Sequence, residues 1–437
     1  MKKVRDGYKM TELGEIPNEW EIIKLNECGY IFGGNAFKSS SFTTEYKEND
    51  YQVIRMGNVQ LGKLDLEKNP VFLSENLVGE KEKKYLLKEA DILISLTGTV
   101  NKTDYGNISW VDKNNKYLLN QRVGCLRNDN GEFNNRYYYY LLQSNMFRNQ
   151  FFECGVGGTG NQANVSIADL NNIKVLKLPT REQEKIASIL STVDEQIDNV
   201  DALIEKNKEL KKGLMQTLLT KGIGHTKFKK TEIGEIPEEW EVVKFKEITD
   251  ILRCGVASTP TYVENGIPFL SAQNVNNEKL SLHKYNFISE DYHKQLTKND
   301  KPQKGDILYS RVGANYGIAA VVDIDFEFSV YVSLTLIRMK NEYDSRFYKY
   351  LLNSTIIRKQ ADIGVFQGGG VPNLNVKVVE KFNVVVPPKY EQIKIATILS
   401  EVDEKIEEYE NKKQKLEELK KGLMQQLLTG KIRVINY

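Results

Sequence analysis

The chain has 437 residues, of which 40% are hydrophobic and 27% are charged, and its 61 basic and 59 acidic residues leave a net charge of +2. This composition is typical of a soluble globular protein with several domains. It excludes an overall basic field, so any nucleic-acid surface must be a local patch. The four cysteines form no C-x-x-C pair and no apolar run approaches the ~18 residues of a membrane span, which predicts a cytoplasmic protein with reduced thiols. The three histidines are too scattered to predict a metal site or a catalytic triad.

The first predicted elements belong to a mixed globular segment. WEIIKL (20–25) forms a strand after a G-E-I-P turn, and DILIS (91–95) and IKVLKLP (173–179) have the pattern of further strands. Apolar residues at helical spacing predict one helix within 137–150, with its tyrosines in the core and on the surface.

The run GVGGTGNQANVS (155–166) contains the G-x-G-x-x-G spacing of dinucleotide-binding loops. It follows a predicted helix and leads into a predicted strand, so the strand–loop–helix frame of such loops is missing. We therefore expect no dinucleotide site. The glycines would let the backbone come close to a ligand, and the Asn and Gln side chains that follow present a donor and an acceptor that suit the edge of a DNA base. An ordinary turn is the alternative.

A long helix follows the globular segment. Its apolar residues have the 4-3-4-3-4 spacing of a coiled-coil seam and are Ile186, Leu190, Val193, Ile197, Val200 and Ile204. A helix of about 40 residues would be roughly 60 Å long. Asn207 interrupts this seam, and Lys413 interrupts the corresponding seam of a second long helix in the other half of the chain. Each polar residue is explained either by a role in fixing the helix register or by a solvated break in the seam.

The second half of the chain repeats the first. TELGEIPNEWEIIKL (11–25) returns as TEIGEIPEEWEVVKF (231–245), DILISLTGTV (91–100) as DILYSRVGAN (306–315), and KKGLMQTLLTKG (211–222) as KKGLMQQLLTGK (420–431). The second helix has its seam at Ile395, Leu399, Val402, Ile406, Leu416 and Leu423. Because the second globular segment begins soon after the first helix ends, we expect the helices to pack antiparallel about a pseudo-two-fold axis.

Both halves carry, in the same order, a G-E-I-P-x-x-W-E entry, a D-I-L-x-S segment, a Gly/Asn loop, and a helix that begins E-Q-x-K-I-A-x-I-L-S-x-V-D-E and ends K-K-G-L-M-Q-x-L-L-T. In this combination the chain resembles the specificity subunits of type I restriction–modification systems. The resemblance implies an α+β fold, with two mixed target recognition domains joined by two long antiparallel coiled-coil helices. The implied boundaries are 1–180 for the first domain, 181–222 for the first helix, 223–388 for the second domain, and 389–437 for the second helix and C-terminal tail.

The resemblance also implies a function without chemistry in this chain. Each domain would read one part of a bipartite, asymmetric site in double-stranded DNA, and the helices would set the spacer and dock two methyltransferase subunits. Restriction and translocase subunits would join for cleavage. S-adenosylmethionine and ATP with Mg²⁺ would be bound by those partners, so no catalytic residue, metal or cofactor is expected here, and no membrane partner.

Polar loops near predicted strand ends supply the candidates for DNA contact, because Lys and Arg neutralise phosphates while Asn, Gln and Arg pair with base edges. In the first copy they are Lys38, Arg55, Asn58, Thr97, Asn101, Lys102, Thr159, Asn161, Gln162 and Asn164. In the second copy they are Ser271, Gln273, Asn274, Arg311, Asn315, Tyr316, Gln367 and Asn373. For each residue a solvated or turn-forming role is the alternative.

Three other functions stay open at this point. The chain could be the specificity module of another restriction class or of a methylation-only system, since those differ in separate subunits. It could be a structural coiled-coil protein with two generic domains. It could also be an enzyme that binds a nucleotide at 155–160.

Overall fold

The computed structural model describes residues 4–114, 116–129, 131, 133–157, 162–366 and 370–434. The chain forms two compact units, the first made of Met1–Asn199 with Lys412–Tyr437 and the second of Val200–Asn411. No helix among the described residues is both long enough and apolar enough to cross a membrane.

The globular part of the first unit is mixed α and β. Its strands are β1 (Tyr8–Thr11), β2 (Gly14–Pro17), β3 (Glu21–Lys24), β4 (Tyr30–Gly33), β5 (Phe42–Thr43), β6 (Tyr51–Ile54), β7 (Val59–Gln60), β8 (Lys63–Leu64), β9 (Phe72–Leu73), β10 (Ile92–Ser95), β11 (Thr97–Thr99), β12 (Ile108–Trp110), β13 (Tyr117–Leu119), β14 (Val123–Arg127), β15 (Val156–Gly157), β16 (Gln162–Asn164) and β17 (Lys174–Lys177). Its helices are α1 (Glu80–Lys83), α2 (Asn135–Leu141), α3 (Asn145–Cys154) and α4 (Ile167–Asn172), followed by the long α5 (Thr180–Lys221).

Two four-stranded sheets form the body of this unit. One has the order β12-β10-β14-β4 and is antiparallel throughout, and the other has the order β13-β6-β9-β5 with β13 and β6 parallel. All four residues of β10 are buried, so the strand is covered on both faces, as the apolar run Ile92–Ile94 predicts. α2 and α3 cover the first sheet, and the four tyrosines Tyr137–Tyr140 are buried in the core.

The second unit repeats these elements. Its strands are β18 (Phe228–Thr231), β19 (Gly234–Pro237), β20 (Glu241–Lys244), β21 (Thr249–Cys254), β22 (Ile267–Leu270), β23 (Val275–Asn276), β24 (Lys279–Leu280), β25 (Asn286–Ile288), β26 (Ile307–Ser310), β27 (Ala319–Val321), β28 (Ser329–Val330), β29 (Leu334–Met339), β30 (Val365–Phe366), β31 (Asn373–Leu374) and β32 (Asn383–Val386). Its helices are α6 (Glu290–Leu296), α7 (Ser345–Leu352), α8 (Thr355–Gly364), α9 (Val376–Val379) and the long α10 (Lys389–Leu427). The sheet β21-β29-β26-β27 corresponds to β4-β14-β10-β12, and the parallel pair β22–β28 corresponds to β6–β13.

Three local predictions are wrong. The G-E-I-P segment, expected to be a turn, is strand β2 in the first unit and β19 in the second, and these strands pair antiparallel with β1 and β18. The single helix expected within 137–150 is two helices, because the Ser144 side chain accepts from Phe147 N–H at 3.4 Å and begins α3. The glycine run leads to α4 before the expected strand, because Ser166 and Asp169 form a capping box with N–H···O distances of 2.9 and 3.1 Å.

The long helices have 42 and 39 residues, in agreement with the expected length. In the first unit, Ile186 and Leu190 of α5 lie in one core with Leu427 at the end of α10. In the second unit, Leu219 at the end of α5 lies in one core with Ile395 of α10. The beginning of each helix thus packs against the end of the other, which confirms the antiparallel arrangement and the α+β fold with an internal repeat.

The predicted seam positions are protected from solvent. Those that are buried are Ile186, Leu190, Val193, Val200, Ile204, Ile395 and Leu399. Those that are half-buried are Ile197, Val402, Ile406, Leu416 and Leu423. Asn207 donates to the Leu203 carbonyl of its own helix at 2.8 Å, a contact that a break in the seam would explain.

Candidate nucleic-acid interface

In the first unit, a glycine lets two chain segments meet at one end of the sheet β12-β10-β14-β4. Gly34, just after β4, donates its N–H to the Val123 carbonyl at 3.0 Å. Asn35 N–H donates to the Leu119 carbonyl at 2.9 Å. A Cβ on Gly34 would lie 2.1 Å from the Asn120 carbonyl oxygen, so this approach requires glycine.

Three more segments end at the same place. Asn120 N–H donates to the Ile54 carbonyl, at the end of β6, at 3.1 Å. The Arg122 carbonyl accepts from Leu96 N–H, just after β10, at 3.1 Å, and β11 continues from there to pair with β16. We call this assembly the first edge, and it comprises residues 34–38, 54–55, 96–102, 119–123 and 162–165.

The second unit builds a matching edge. Gly255 N–H donates to the Leu334 carbonyl at 3.1 Å, and a Cβ on Gly255 would lie 2.1 Å from the Val330 carbonyl oxygen. Tyr331 N–H donates to the Leu270 carbonyl, at the end of β22, at 2.8 Å. We call this assembly the second edge, and it comprises residues 255–259, 270–273, 311–317, 331–334 and 373–374.

Most of the residues predicted for DNA contact lie at these two edges. Those at the first edge that are exposed are Lys38, Asn101, Lys102, Gln162 and Asn164. Thr97 is buried and its hydroxyl donates to Asn164 Oδ1 at 3.2 Å. Arg55 is half-buried and donates to the Asn69 carbonyl at 2.6 Å.

At the second edge Gln273, Asn315 and Asn373 are exposed and Ser271 is half-buried. Arg311 is only 8% exposed, and its guanidinium donates to the Leu374 and Val332 carbonyls at 2.9 and 3.1 Å and to Asn373 Oδ1 at 3.1 Å. It therefore ties β31 to the turn after β28.

The other predicted residues have internal partners or lie outside the described part. Asn58 and Asn274 are buried, and each side-chain amide donates to two carbonyls of a following turn, at 2.8 to 2.9 Å. The Tyr316 hydroxyl donates to Asp362 Oδ1 at 2.7 Å. Thr159, Asn161 and Gln367 lie outside the described residues. DNA contact by any member of the two sets stays a prediction.

Two side chains at the first edge were missed by the sequence prediction. Gln121 and Arg122 are both exposed, in the turn between β13 and β14. The turn contains no glycine or proline and follows a strand of three residues, so no breaker signal marked it. The available signal was a polar triplet, Asn120–Arg122, directly after the apolar run YLL.

The helix pair in each unit is tied to the globular part by an aspartate, a lysine and a tyrosine. In the first unit, Asp194 of α5 accepts from the Tyr140 hydroxyl at 2.6 Å and pairs with Lys420 of α10 at 2.6 Å. We call this group the first lock. It joins both long helices to α2.

In the second unit, Asp403 of α10 accepts from the Tyr350 hydroxyl at 2.7 Å and pairs with Lys211 of α5 at 2.6 Å. This second lock has an additional cation, Lys349, at 3.2 Å from Asp403, and Lys211 also pairs with Glu278 at 2.7 Å. Burial raises the pKa of Asp403, but the ion pairs with Lys349 and Lys211 outweigh it and hold the pKa below its usual value.

The start of each long helix carries a buried carboxylate beneath a tryptophan. Trp20 donates its indole N–H to Glu182 at 3.0 Å, and Arg433 pairs with the same carboxylate at 2.6 Å. Trp240 donates to Glu391 at 3.0 Å, where His225 lies at 3.0 Å in the position of the arginine. Within the described part of the chain, no group of three or more His, Cys, Asp or Glu side chains is arranged to hold a metal ion.

The fold and its edges define a class of chain, a duplicated α+β protein in which each half contributes one long helix. A family model for the type I restriction modification DNA specificity domain matches this chain twice, at residues 17–210 and 237–418. The chain therefore belongs to the specificity subunits of type I restriction–modification systems.

Individual relatives agree with this assignment. The chain is 30% identical over 442 residues to the type I restriction enzyme MjaVIII specificity subunit of Methanocaldococcus jannaschii, covering 99% of this chain and 97% of the relative. It is 25% identical over 348 residues to the EcoBI specificity subunit of Escherichia coli, covering 75% of this chain and 67% of the relative. The S subunit of a type I system from M. genitalium has the same fold, with a TM-score of 0.59 at 19% identity over 97% of each chain.

Proposed function

We propose that this chain reads a bipartite, asymmetric site in double-stranded DNA, with one half-site at each edge. The observation that carries the proposal is that both units form the same edge through the same backbone contacts, while the side chains exposed at the two edges differ. A scaffold used twice with different polar groups suits two different short sequences. The chain itself contributes recognition and no chemistry.

The exposed polar residues of the edges would make the contacts. Lys38 and Lys102 suit phosphates, and Gln162, Asn164, Gln273 and Asn373 suit base edges, because an amide presents a donor and an acceptor side by side. Buried Asn58, Asn274 and Arg311 would act indirectly, by holding the loops in shape.

Two methyltransferase subunits would dock on the long helices. The octapeptide ELKKGLMQ occurs at 209–216 and again at 418–425, and its first leucine, Leu210 or Leu419, is 50% exposed in each copy. An identical sequence with the same exposed apolar side chain suits two copies of one partner. Restriction subunits would join that complex, and S-adenosylmethionine and ATP with Mg²⁺ would be bound by these partners.

The long helices would set the spacer between the half-sites. Four residues added at position 199, with four added at position 411, lengthen each helix by about 6 Å. We expect the unread spacer to grow by about two base pairs, at 3.4 Å each, with both half-sites unchanged. An unchanged spacer would contradict this part of the proposal.

The test of the proposed function is a selection from random duplex DNA with this chain in complex with its methyltransferase subunit. The proposal predicts a motif of two short half-sites with an unread centre. One continuous motif would contradict reading by both units. The absence of any enrichment at low salt, with the complex intact, would favour a structural coiled-coil role. A methylation-only system or another restriction class would give the same motif and differ only in the partner subunits.

A further inference from the structure

The turn at residues 120–123 is held in one conformation by its backbone. Val123 N–H donates to the Asn120 carbonyl at 3.0 Å, which closes a β-turn with Gln121 and Arg122 at its two central positions. Gln121 N–H donates to the Asn35 carbonyl at 3.0 Å and to Asn120 Oδ1 at 2.8 Å. The turn is therefore fixed without using either central side chain.

Both central side chains point to solvent and are available for a ligand. Gln121 and Arg122 are exposed, and neither side chain makes a hydrogen bond or an ion pair with another residue in the described part of the chain. Arg55 and Arg311, the other arginines at the edges, each donate to backbone carbonyls. Arg122 is thus the arginine at the first edge whose guanidinium is not used to hold a loop.

The second unit contains the same turn with other side chains. Leu334 N–H donates to the Tyr331 carbonyl at 2.9 Å, with Val332 and Ser333 at the centre. The Ser333 hydroxyl accepts from Ala272 N–H at 2.9 Å, so it serves the fold. The backbone of the turn is maintained, whereas Gln–Arg in one copy is replaced by Val–Ser in the other.

We propose that Arg122 is a specificity-determining residue of the first half-site, where its guanidinium binds the O6 and N7 acceptors of a guanine, with Gln121 beside it. This inference rests on the proposed function. The difference in side chains between the two turns indicates that the ligand of Arg122 is a base and not a phosphate. Every half-site has the same phosphate backbone, so an arginine that only bound phosphate would suit both turns equally. A base contact need serve only one sequence.

The experiment compares the complex with its methyltransferase subunit in four forms, namely wild type, Arg122→Ala, Arg122→Lys and Lys113→Ala. Lys113 is an exposed cation in the loop after β12, at the opposite end of the sheet, so Lys113→Ala controls for lost charge. Each form is used to select from random duplex DNA, and affinities are measured for the selected site and for its variants at each base pair.

We expect the wild-type complex to require guanine at one position of one half-site. Arg122→Ala should reduce that preference about 10- to 100-fold at this position alone. Arg122→Lys should lose most of it, because an ammonium lacks the planar fork of a guanidinium. Lys113→Ala should leave the motif unchanged. Because the Arg122 side chain is exposed and makes no hydrogen bond or ion pair with another described residue, Arg122→Ala and Arg122→Lys should melt at the wild-type temperature.

Two results would overturn the inference while leaving the proposed function intact. If Arg122→Ala weakens binding to all sequences equally and lowers the salt slope by about one, the arginine contacts phosphate. If it changes neither motif nor affinity, Arg122 faces solvent in the complex. A wild-type complex that selects no motif would overturn the proposed function and this inference with it.

Discussion

The turns and the locks of this protein show two opposite ways of repeating a structure. The turns at 120–123 and 331–334 have the same backbone hydrogen bonds and different side chains. The locks around Asp194 and Asp403 use the same aspartate, lysine and tyrosine in both units. In the turns the backbone makes the contacts and the side chains are free to diverge, whereas in the locks side chains make the contacts and the shared residues stay the same.

The largest effect is expected from the glycines that let the edges form. Gly34→Ala places a Cβ 2.1 Å from the Asn120 carbonyl oxygen, and relieving that overlap should cost about 3 kcal/mol of the free energy of unfolding. We expect selection with this variant to lose the first half-site and retain the second. Gly255→Ala should do the reverse, since its Cβ would lie 2.1 Å from the Val330 carbonyl oxygen.

Gly57 is the matched control for these substitutions. It is exposed and a Cβ built on it meets nothing within 4 Å, so Gly57→Ala should leave both half-sites and the stability unchanged. If Gly34→Ala retains its half-site with full stability, the close approach of the two segments does not shape the edge.

A smaller effect is expected at the locks. Asp403→Asn leaves buried Lys349 and half-buried Lys211 without their shared carboxylate and should destabilise the second unit by about 2 kcal/mol. Asp194→Asn, which affects one lysine, should destabilise the first unit by about 1 kcal/mol. Hydrogen exchange of the amides of α2 and α7 would measure the two effects separately. Equal effects would mean that Lys349 contributes nothing to the second lock.

The pH dependence of the second lock follows from the lowered pKa of Asp403. A carboxyl whose pKa is lower in the folded than in the unfolded state stabilises the fold above its unfolded pKa and loses that contribution as the pH falls through the folded pKa. The difference in unfolding free energy between wild type and Asp403→Asn should therefore be full above the unfolded pKa of about 4 and be lost as the pH falls from there through the lower folded pKa. A difference that is constant with pH would contradict the ion pairs.

The smallest effect on stability is expected at the exposed leucines of the repeated octapeptide. Leu210→Glu should change the free energy of unfolding by less than about 0.5 kcal/mol, because the side chain is half exposed. It should nevertheless reduce the number of bound methyltransferase subunits from two to one, as measured by analytical ultracentrifugation, and Leu419→Glu should do the same. Lys212 lies in the same octapeptide and is also exposed. The control variant Lys212→Glu adds negative charge without removing an apolar side chain, so it separates the effect of charge from the loss of an apolar contact.

The sequence predicted the architecture well because its signals were long and occurred twice. The seam from Ile186 to Ile204 and the strand at 91–95 gave the long helix and the central strand correctly. The break at Ser144 was missed, because a serine within an apolar helical pattern does not reveal that its side chain caps a new helix.

The candidate site was predicted less well, for a physical reason. Residue type indicates that Asn58 and Arg311 can bind DNA bases, but not that their donors are already used by carbonyls within the fold. Arg122 was missed for the converse reason. Its proposed role depends on the close approach at Gly34, which brings together segments far apart in the sequence.

The central claim is that each unit reads its own half-site, and one exchange tests it most directly. Residues 8–178, the globular part that precedes α5, are replaced with the corresponding segment of a relative of different specificity, and the DNA motif of the resulting complex is determined by selection. We predict that one half-site changes to that of the donor, while the other half-site and the spacer stay as they were. A change in both half-sites, or in neither, would contradict the account.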